Sequence, residues 1–284
     1  MNRTFIAVGI GALVILGFAL AAAPARTQFT AQDIAEDARW EDFLRTAAIV
    51  GETQLGGPDA VTRPWKLTIE KDGRRTFALW KYIDSRKDGI PDCWRFEIAA
   101  YRLDRLLGQN MVPVTVERPY KDKPGSLQLW AEGTETVKSL GPKIADRTRD
   151  RSIEWNRLAF VQRVFDDLLA NEDRNANNIL VTADARMLLI DHSRAFRTVR
   201  PYLRKLVFGP DGLMKAPDGS PYLFKTLPRA FVERIRGLDA ARIREAVGTT
   251  LTNEEIEAVL ARKALVLREV ESMIAKNGEN QVLY

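Results

Sequence analysis

The most informative stretch of the chain reads Asn171-Glu172-Asp173-Arg174-Asn175-Ala176-Asn177-Asn178 and is a polar loop. Two short apolar runs follow it, residues 179–181 and 187–190, and the second run ends at Asp191. Short apolar runs that flank a polar turn are typical of a β-hairpin, and Asp184-Ala185 suits the turn. We therefore expect a loop that leads directly into a hairpin.

The register of this hairpin brings two oxygen-bearing side chains together. Counting outward from the turn gives three opposed pairs: Val181 with Leu188, Ile179 with Ile190, and Asn178 with Asp191. Opposed residues have Cβ atoms roughly 4.5–5.5 Å apart, so Asn178 and Asp191 could together hold a small hard cation such as Mg²⁺. Asp173, on the preceding loop, is placed to accept the proton of a hydroxyl, as phosphoryl transfer requires.

Three interpretations of the loop are considered. Asp173 and Asn178 have the Asp-x-x-x-x-Asn spacing of a protein-kinase catalytic loop, with Asp191 in the place of the metal-binding Asp of Asp-Phe-Gly. A calcium loop would use Asp173 and alternate residues, with Asp184 twelfth, but it needs Gly where Asn178 stands and usually Glu where Asp184 stands. The third reading is a solvated turn in which Asn and Asp side chains cap backbone groups.

Upstream residues favour the kinase reading. Residues 65–70 and 76–82 flank a Lys71-Asp72-Gly73 turn and predict a hairpin that places Lys81 in a strand. Apolar residues at helical spacing predict a helix over 92–107, which carries Glu97 and ends at Gly108. An ion pair between Lys81 and Glu97 would direct the ammonium group at nucleotide phosphates.

Glycines before the first hairpin offer a second phosphate contact. Gly56 and Gly57 allow backbone N–H groups to approach phosphate closely, although Gly-Gly-Pro is also an ordinary turn. The segment 84–92 looks like half of a calcium repeat, but Arg86 stands where a ligand oxygen is expected, so we expect a loop leading to the Glu97 helix.

The rest of the chain changes from strands to helices. A further strand is expected at 127–131, and helical periodicity follows at 153–170, 228–237, 240–247 and 253–276. The last of these helices begins with a capping box formed by Thr252 and Glu255. We therefore predict an α+β protein with a small strand-rich lobe that contains one helix and a larger, mainly helical lobe.

Composition excludes several classes of protein. The 284 residues are 45% hydrophobic and 29% charged, which excludes a disordered chain, a collagen and a multi-pass membrane protein. The net charge of +5 comes from mixed acids and bases, so no nucleic-acid partner is expected. One cysteine, Cys93, and one histidine, His192, leave carboxylates and lysines to do the acid–base chemistry.

The amino terminus resembles an export segment. A basic start precedes an apolar run at 5–23, about 19 residues, which is close to the ~20 that span a bilayer. Small residues at Ala23-Pro24-Ala25 favour a cleaved signal peptide within 1–25, and an uncleaved anchor is the alternative. We expect an exported protein whose contact with a membrane, if the segment is uncleaved, is made only by residues 5–23.

Two stretches resemble the secretory-pathway Golgi casein kinase family and its bacterial relatives. They are residues 97–108 with Val112-Pro113, and Asn171-Glu172-Asp173-Arg174-Asn175 with Ile190-Asp191. The loop is also similar to those of phosphoinositide kinases and of bacterial persistence-toxin kinases. The resemblance implies a bilobal, protein-kinase-like fold with an N-lobe at 29–132 and a C-lobe at 133–284.

The resemblance also implies roles for single residues. Lys81 would anchor phosphate with Glu97 as its partner, Asp173 would be the catalytic base, and Asn178 and Asp191 would be the metal ligands. The segment 129–133 would be the adenine-binding hinge, which makes Trp130 and Glu132 nucleotide contacts. Two departures are Asn175, where many relatives have His, and Asp191-His192-Ser193 in place of Asp-Phe-Gly. The second departure puts hinge-like control of that segment in doubt.

The expected function is that of an ATP-dependent kinase that uses Mg²⁺ or Mn²⁺ and a hydroxyl acceptor on a protein, a sugar or another molecule. No motif in the sequence marks the acceptor. The alternative from another class is a non-catalytic nucleotide- or calcium-binding module of an exported scaffold.

Overall fold

The computed structural model describes residues 29–56, 63–87 and 90–284. The expected signal or anchor at 1–25 and the predicted phosphate contact Gly57 lie outside these ranges. Within them, no helix combines the length and the apolar character needed to cross a bilayer.

Strands dominate the first half of the described chain. A five-stranded antiparallel sheet has the order β1-β2-β3-β7-β6, a three-stranded sheet has the order β10-β9-β8, and β4 pairs with β5. The bounds are β1 (Ala48–Gln54), β2 (Trp65–Lys71), β3 (Arg74–Lys81), β4 (Asp84–Lys87), β5 (Ile90–Cys93), β6 (Thr115–Glu117), β7 (Ser126–Leu129), β8 (Thr134–Thr136), β9 (Ile179–Thr182) and β10 (Met187–Leu189).

Helices dominate the second half. The strand-rich part of the described chain contains two helices besides the expected one, since α1 and α2 precede β1 and α2 packs on the large sheet together with α3. The bounds are α1 (Ala31–Ala35), α2 (Asp37–Thr46), α3 (Trp94–Leu107), α4 (Val137–Leu140), α5 (Lys143–Thr148), α6 (Ser152–Leu169), α7 (Arg200–Arg204), α8 (Arg229–Arg236), α9 (Ala240–Val247), α10 (Asn253–Asn277) and α11 (Glu279–Val282).

The hairpin that carries Lys81 is confirmed. Strands β2 and β3 are joined by Asp72 and Gly73, which both have positive φ, 51° and 73°. Two consecutive residues with positive φ are the hallmark of a type I′ turn, whose twist matches that of the flanking strands and for which Asp-Gly is a preferred sequence. The turn thus sets the register that places Lys81 at the end of β3.

Helix α3 starts two residues later than expected because strand β5 occupies residues 90–93. The expected loop over 84–92 was therefore wrong, since β4 and β5 pair as an antiparallel hairpin with Asp84 opposite Cys93. The helix ends as predicted at Gly108, whose φ of 65° is left-handed. One face of α3 packs on the large sheet, and Phe96 reaches Phe196 in the second half, with ring centroids 5.1 Å apart.

The hairpin after the polar loop has a different register from the one expected. Val181 lies opposite Met187, and Ile179 lies opposite Leu189, so each pairing is shifted by one residue. The reason is a three-residue loop closed by Thr182 and Arg186, in which Ala185 has a φ of 61°. The backbone N–H of Ile190, not of Asp191, donates to the carbonyl of Asn178 at 3.2 Å.

Helices α6 and α10 form the framework of the second half. They pack against one another, and α10 begins at the predicted capping box, in which Thr252 and Glu255 cap each other's backbone N–H groups. Helix α6 ends with Ala170 in a left-handed conformation, with a φ of 52°, which turns the chain into the polar loop. The loop is thereby placed at the base of the β9–β10 hairpin.

Replacing Gly73 tests the turn that sets the register of Lys81. No atom lies within 4 Å of a Cβ built on Gly73, so Gly73→Ala changes backbone strain alone. We expect it to lower the free energy of unfolding by about 1–2 kcal/mol in denaturant titrations. Gly73→Asn is the control and should cost less, because Asn tolerates positive φ; equal losses would contradict the argument.

Candidate active site

Three of the predicted residues meet at the end of strand β3. The Nζ atom of Lys81 lies 2.6 Å from Oε1 of Glu97 and 2.7 Å from Oδ1 of Asp191. Lys81 is the last residue of β3, Glu97 lies in the first turn of α3, and Asp191 follows β10 by two residues. The structure thus joins the strand, the helix and the hairpin through one ammonium group, as the Lys–Glu prediction required.

Lys81 and Glu97 are both charged at neutral pH. Burial alone would lower the pKa of Lys81, but the carboxylates of Asp191 and Glu97 outweigh it and raise that pKa above its ordinary value. Burial alone would raise the pKa of Glu97, but Lys81 and a hydrogen bond from His192 hold it well below its ordinary value. Since the charged form of each group is favoured by the other, the pair is a fixed feature of the folded protein.

Glu97 uses its second oxygen to hold the segment after Asp191. Its Oε2 accepts the backbone N–H of His192 at 3.0 Å. The ring of His192 is buried, and its Nε2 lies 2.8 Å from Nη2 of Arg174. A guanidinium group only donates, so Nε2 accepts and the neutral ring carries its proton on Nδ1, 3.7 Å from Glu97.

The protonation of His192 agrees with this geometry. Burial and the charge of Arg174 lower the pKa of His192, which keeps the ring uncharged at neutral pH. Its role here is to connect Glu97 to Arg174.

Arg174 is the centre of a buried network. Its Nε lies 2.9 Å from Oδ2 of Asp166 and its Nη2 lies 3.0 Å from Oδ1, a two-point contact with both side chains almost fully buried. Its Nη1 donates to the carbonyls of Asn178 at 2.7 Å and Ile190 at 2.6 Å. One guanidinium therefore fixes the end of α6, the polar loop and the base of the hairpin against each other.

Sequence reasoning missed Asp166 and assigned no role to the Arg174 side chain. The available signal was two adjacent acids, Asp166 and Asp167, inside the apolar stripe of the helix predicted at 153–170. Acids in such a position are buried in the structure, and a buried acid requires a partner. Arg174, in the loop that follows directly, is that partner for Asp166.

Asp173 and Asn178 are joined by one hydrogen bond. The side-chain amide of Asn178 donates to the backbone carbonyl of Asp173 at 2.8 Å. This leaves Oδ1 of Asn178 as an acceptor that no described residue uses. The carboxylate of Asp173 is about one-third exposed, and Nη1 of Arg194 lies 3.6 Å from its Oδ2.

The backbone next to the predicted metal ligands is held together by a different route from the one expected. The cross-strand pairing of Asn178 with Asp191 was wrong, because Ile190 occupies that position. Instead, Arg174 holds the carbonyls of Asn178 and Ile190 together, and Asp191 follows with a left-handed φ of 61°. Their assignment as ligands stays a prediction.

The side-chain oxygen atoms of Asp191 and Asn178 are of the type that binds a hard cation. Asp191 is 39% exposed, and its Oδ1 contacts Lys81 and, at 3.3 Å, the hydroxyl of Ser193. Its Oδ2 atom and Oδ1 of Asn178 accept no hydrogen bond from a described residue. Carboxylate and amide oxygens are the ligands that Mg²⁺ and Mn²⁺ prefer, so these two residues fit such an ion.

The predicted nucleotide contacts lie around the large sheet. The backbone N–H of Trp130 donates to Phe77 at 3.0 Å, and its ring faces the Lys66 ammonium group, 4.3 Å from the ring centroid. Glu132 accepts the hydroxyl of Thr76 at 3.1 Å. Gly56 is exposed after β1, with a φ of 96°. Their roles in binding nucleotide stay predictions.

Removing Arg174 tests the network that holds the loop. Arg174→Met leaves Asp166 as a buried charge without its partner, and we expect it to lower the free energy of unfolding by about 3–5 kcal/mol in denaturant titrations. The matched control is Arg229→Met, which removes an exposed contact with Glu279 and should cost less than about 1 kcal/mol. Similar losses in the two variants would refute a central role for Arg174.

Comparisons with known proteins agree with this architecture. No protein-family model matches the chain. Protein Rv2133c of Mycobacterium tuberculosis is 25% identical over 237 residues, which cover 72% of this chain and 77% of that protein.

Solved structures give a more extensive match. A hydra Fam20 structure with sugar has a TM-score of 0.60 at 15% identity and covers 92% of this chain and 95% of its own. The Golgi casein kinase with Mn/ADP bound has a TM-score of 0.61 at 14% identity, with coverage of 91% and 80%. The Helicobacter pylori proinflammatory kinase CtkA has a TM-score of 0.50 at 12% identity, with coverage of 83% and 96%. The chain therefore has the atypical kinase fold of the Fam20 and Golgi casein kinase structures.

Proposed function

We propose that the chain is a phosphotransferase that moves the γ-phosphoryl group of ATP to a hydroxyl acceptor. The observation that carries this proposal is the contact of Lys81 with both Glu97 and Asp191. A lysine on a strand, paired with a glutamate on the following helix and beside an aspartate after a hairpin, is the arrangement that kinases use for nucleotide phosphates. The shared fold supports the same conclusion.

Each residue has a defined task in this proposal. Lys81 binds nucleotide phosphates, and Glu97 keeps its ammonium group in place. The exposed carboxylate of Asp173 orients the acceptor hydroxyl and accepts its proton as the new oxygen–phosphorus bond forms. Because the loop is held by Arg174, Asp173 needs no rearrangement of the backbone to do so.

Asn178 and Asp191 would hold Mg²⁺ or Mn²⁺. When bound, the cation neutralises the negative charge of the phosphates. The Golgi casein kinase structure with Mn/ADP bound supports a nucleotide and a divalent cation as ligands. The chain's own contribution is a set of oxygen atoms on a rigid loop and hairpin, next to the Lys81 ammonium group.

The remaining nucleotide contacts follow from the position of the strands. Trp130 and Glu132 follow β7, next to the central strand β3, and would border the adenine ring. Gly56 and Gly57 would approach the phosphates. The acceptor is a hydroxyl of a protein, a sugar or another molecule, and the hydra Fam20 structure with sugar makes a saccharide one class to test.

The test is phosphate transfer by the purified protein with radiolabelled ATP and Mg²⁺ or Mn²⁺. Casein and oligosaccharide mixtures serve as acceptors, and self-labelling and ADP release are followed in parallel. We expect Asp191→Ala and Asp173→Asn each to lower transfer by about 10²–10⁴-fold. Asp184→Ala is the control and should retain activity, because it removes an exposed acid from the turn of the β9–β10 hairpin, at the opposite end from Asn178 and Asp191.

A separate measurement distinguishes binding from catalysis. Thermal unfolding is followed with nucleotide, with Mg²⁺ and with both, because a ligand that binds the native state raises its stability. A kinase responds to nucleotide and Mg²⁺ jointly. Stabilisation by Ca²⁺ without nucleotide, or equal labelling of the wild type and Asp191→Ala, would instead favour the non-catalytic module.

We also propose that the folded part is exported, with residues 1–25 as a cleaved signal or, through residues 5–23, as an anchor. The support is the basic start, the apolar run and the small residues after it. A reporter active only outside the cytoplasm, fused after Tyr284, should be active, and deleting residues 1–25 should silence it. Activity of a cytoplasmic reporter at the same position would overturn the export proposal.

A further inference from the structure

We propose that Arg194 is a further catalytic residue whose guanidinium group binds the γ-phosphoryl group while it is transferred. This inference rests on the proposed kinase function and adds a residue that the sequence motifs do not mark. It depends on where Arg194 lies, on which charges surround it, and on the absence of any strong contact that it would have to give up.

Arg194 lies beside Asp173. Its Nη1 is 3.6 Å from Oδ2 of Asp173, and both side chains are about one-third exposed. A turn in which the Ala195 N–H donates to the carbonyl of His192 at 3.0 Å fixes its backbone. The backbone carbonyl of Arg194 in turn accepts from Nε of Arg197 at 3.2 Å. These backbone bonds fix the segment around Arg194 and place its guanidinium group beside the carboxylate of Asp173, which would accept the hydroxyl proton.

Arg194 is also close to the phosphate-binding side. Asp92, on strand β5, interacts electrostatically with Lys81, Arg194 and Asp191 together. Strand β5 is also joined to the segment that carries Arg194, because the N–H of Cys93 donates to the carbonyl of Ser193 at 2.8 Å. Arg194 follows Asp191 by three residues and contacts Asp173, so the segment 191–194 joins the Lys81–Asp191 pair to Asp173. In the proposed reaction the phosphoryl group passes from a nucleotide at Lys81 to an acceptor at Asp173, alongside this segment.

The other cations nearby are already engaged. Lys81 is held by two carboxylates at hydrogen-bond distance. Arg197 is buried and lies 2.9 Å from Glu172 and 3.1 Å from the hydroxyl of Tyr202. Among the described residues, Arg194 has Asp173 as its ion-pair partner, and that contact is longer than a hydrogen bond. Arg194 can therefore turn to a phosphate without losing a strong contact.

A cation at this place would stabilise the transition state of phosphoryl transfer. The bond between the γ-phosphorus and the bridging oxygen breaks, ADP leaves with the electron pair, and the acceptor oxygen bonds to phosphorus while its proton passes to Asp173. Negative charge is spread over the three remaining phosphoryl oxygens in the transition state. The planar guanidinium group offers several donors to such oxygens and exchanges no proton itself.

Removal of Arg194 should therefore affect the transition state more than the bound nucleotide. The experiment measures the affinity of the full protein for Mg·ADP and for Mg·ADP with aluminium fluoride, which mimics the phosphoryl group in the transition state of transfer. We expect Arg194→Gln to bind Mg·ADP within about twofold of the wild type and the fluoride complex at least about tenfold more weakly. Its rate of ATP consumption should fall by about 10²–10³-fold, near the lower end of arginine-finger effects.

Two variants serve as controls. Arg194→Lys keeps the charge but loses the fork of donors, so it should recover part of the loss. Arg200→Gln removes the same charge from an exposed position six residues further along and should resemble the wild type in both affinities.

The outcomes separate this inference from the proposed function. If the wild type binds neither complex, the kinase function itself fails. If the wild type binds both and Arg194→Gln matches it in affinity and in turnover, only the role of Arg194 is overturned. If Arg194→Gln weakens both complexes equally, Arg194 contacts the bound nucleotide rather than the moving phosphoryl group, which also contradicts the proposal.

Discussion

The buried contact between Arg174 and Asp166 is the interaction on which the rest of the site depends. A charged pair without solvent is stable only if every donor and lone pair finds a partner. Arg174 meets this condition by donating to Asp166, to the carbonyls of Asn178 and Ile190, and to the ring of His192. The requirement to satisfy one guanidinium group therefore dictates the shape of the loop and the position of the hairpin.

A second buried arginine holds the same region from the other side. Arg262, on α10, donates to the backbone carbonyls of Leu168 and Arg197, both at 2.8 Å. Burial lowers the pKa of Arg262 to about 9, against the attraction of Asp167. Because its hydrogen-bond acceptors are neutral carbonyls, Arg262 positions backbone, whereas Arg174 compensates a charge. Together they fix where α6 ends and where the segment after Asp191 continues.

The sequence predicted well what depends on local patterns. The Asp72-Gly73 turn, the helix ending at Gly108 and the capping box at Thr252 were all identified, because short-range geometry selects those residues. The contact of Lys81 with Glu97 was also predicted, from the kinase pattern of a lysine on a strand and a glutamate on the following helix. The α+β fold with a strand-rich first half and a helical second half was confirmed by the structure and by its neighbours.

The errors came from features that local patterns do not encode. The β9–β10 register shifted by one because Ala185 adopts a positive φ that its side chain does not favour, which lengthened the loop. The segment over 84–92 became a hairpin through pairing of β4 with β5. The partnership of Asp166 and Arg174 was missed, because burial of a charge depends on the packing of the whole lobe.

The hydrogen bonds of His192 also limit how freely Asp191 can move. A movement of the backbone that carries Asp191 and His192 away from Lys81 would break the bond from the His192 backbone to Glu97 and the bond between the His192 ring and Arg174. Bonds to charged groups contribute about 1.5–3 kcal/mol each, so losing both costs at least about 3 kcal/mol. At that cost the displaced conformer would make up less than about 1% of the molecules. A population with Asp191 turned away from Lys81 is therefore small, and the folded chain holds the two charged groups together.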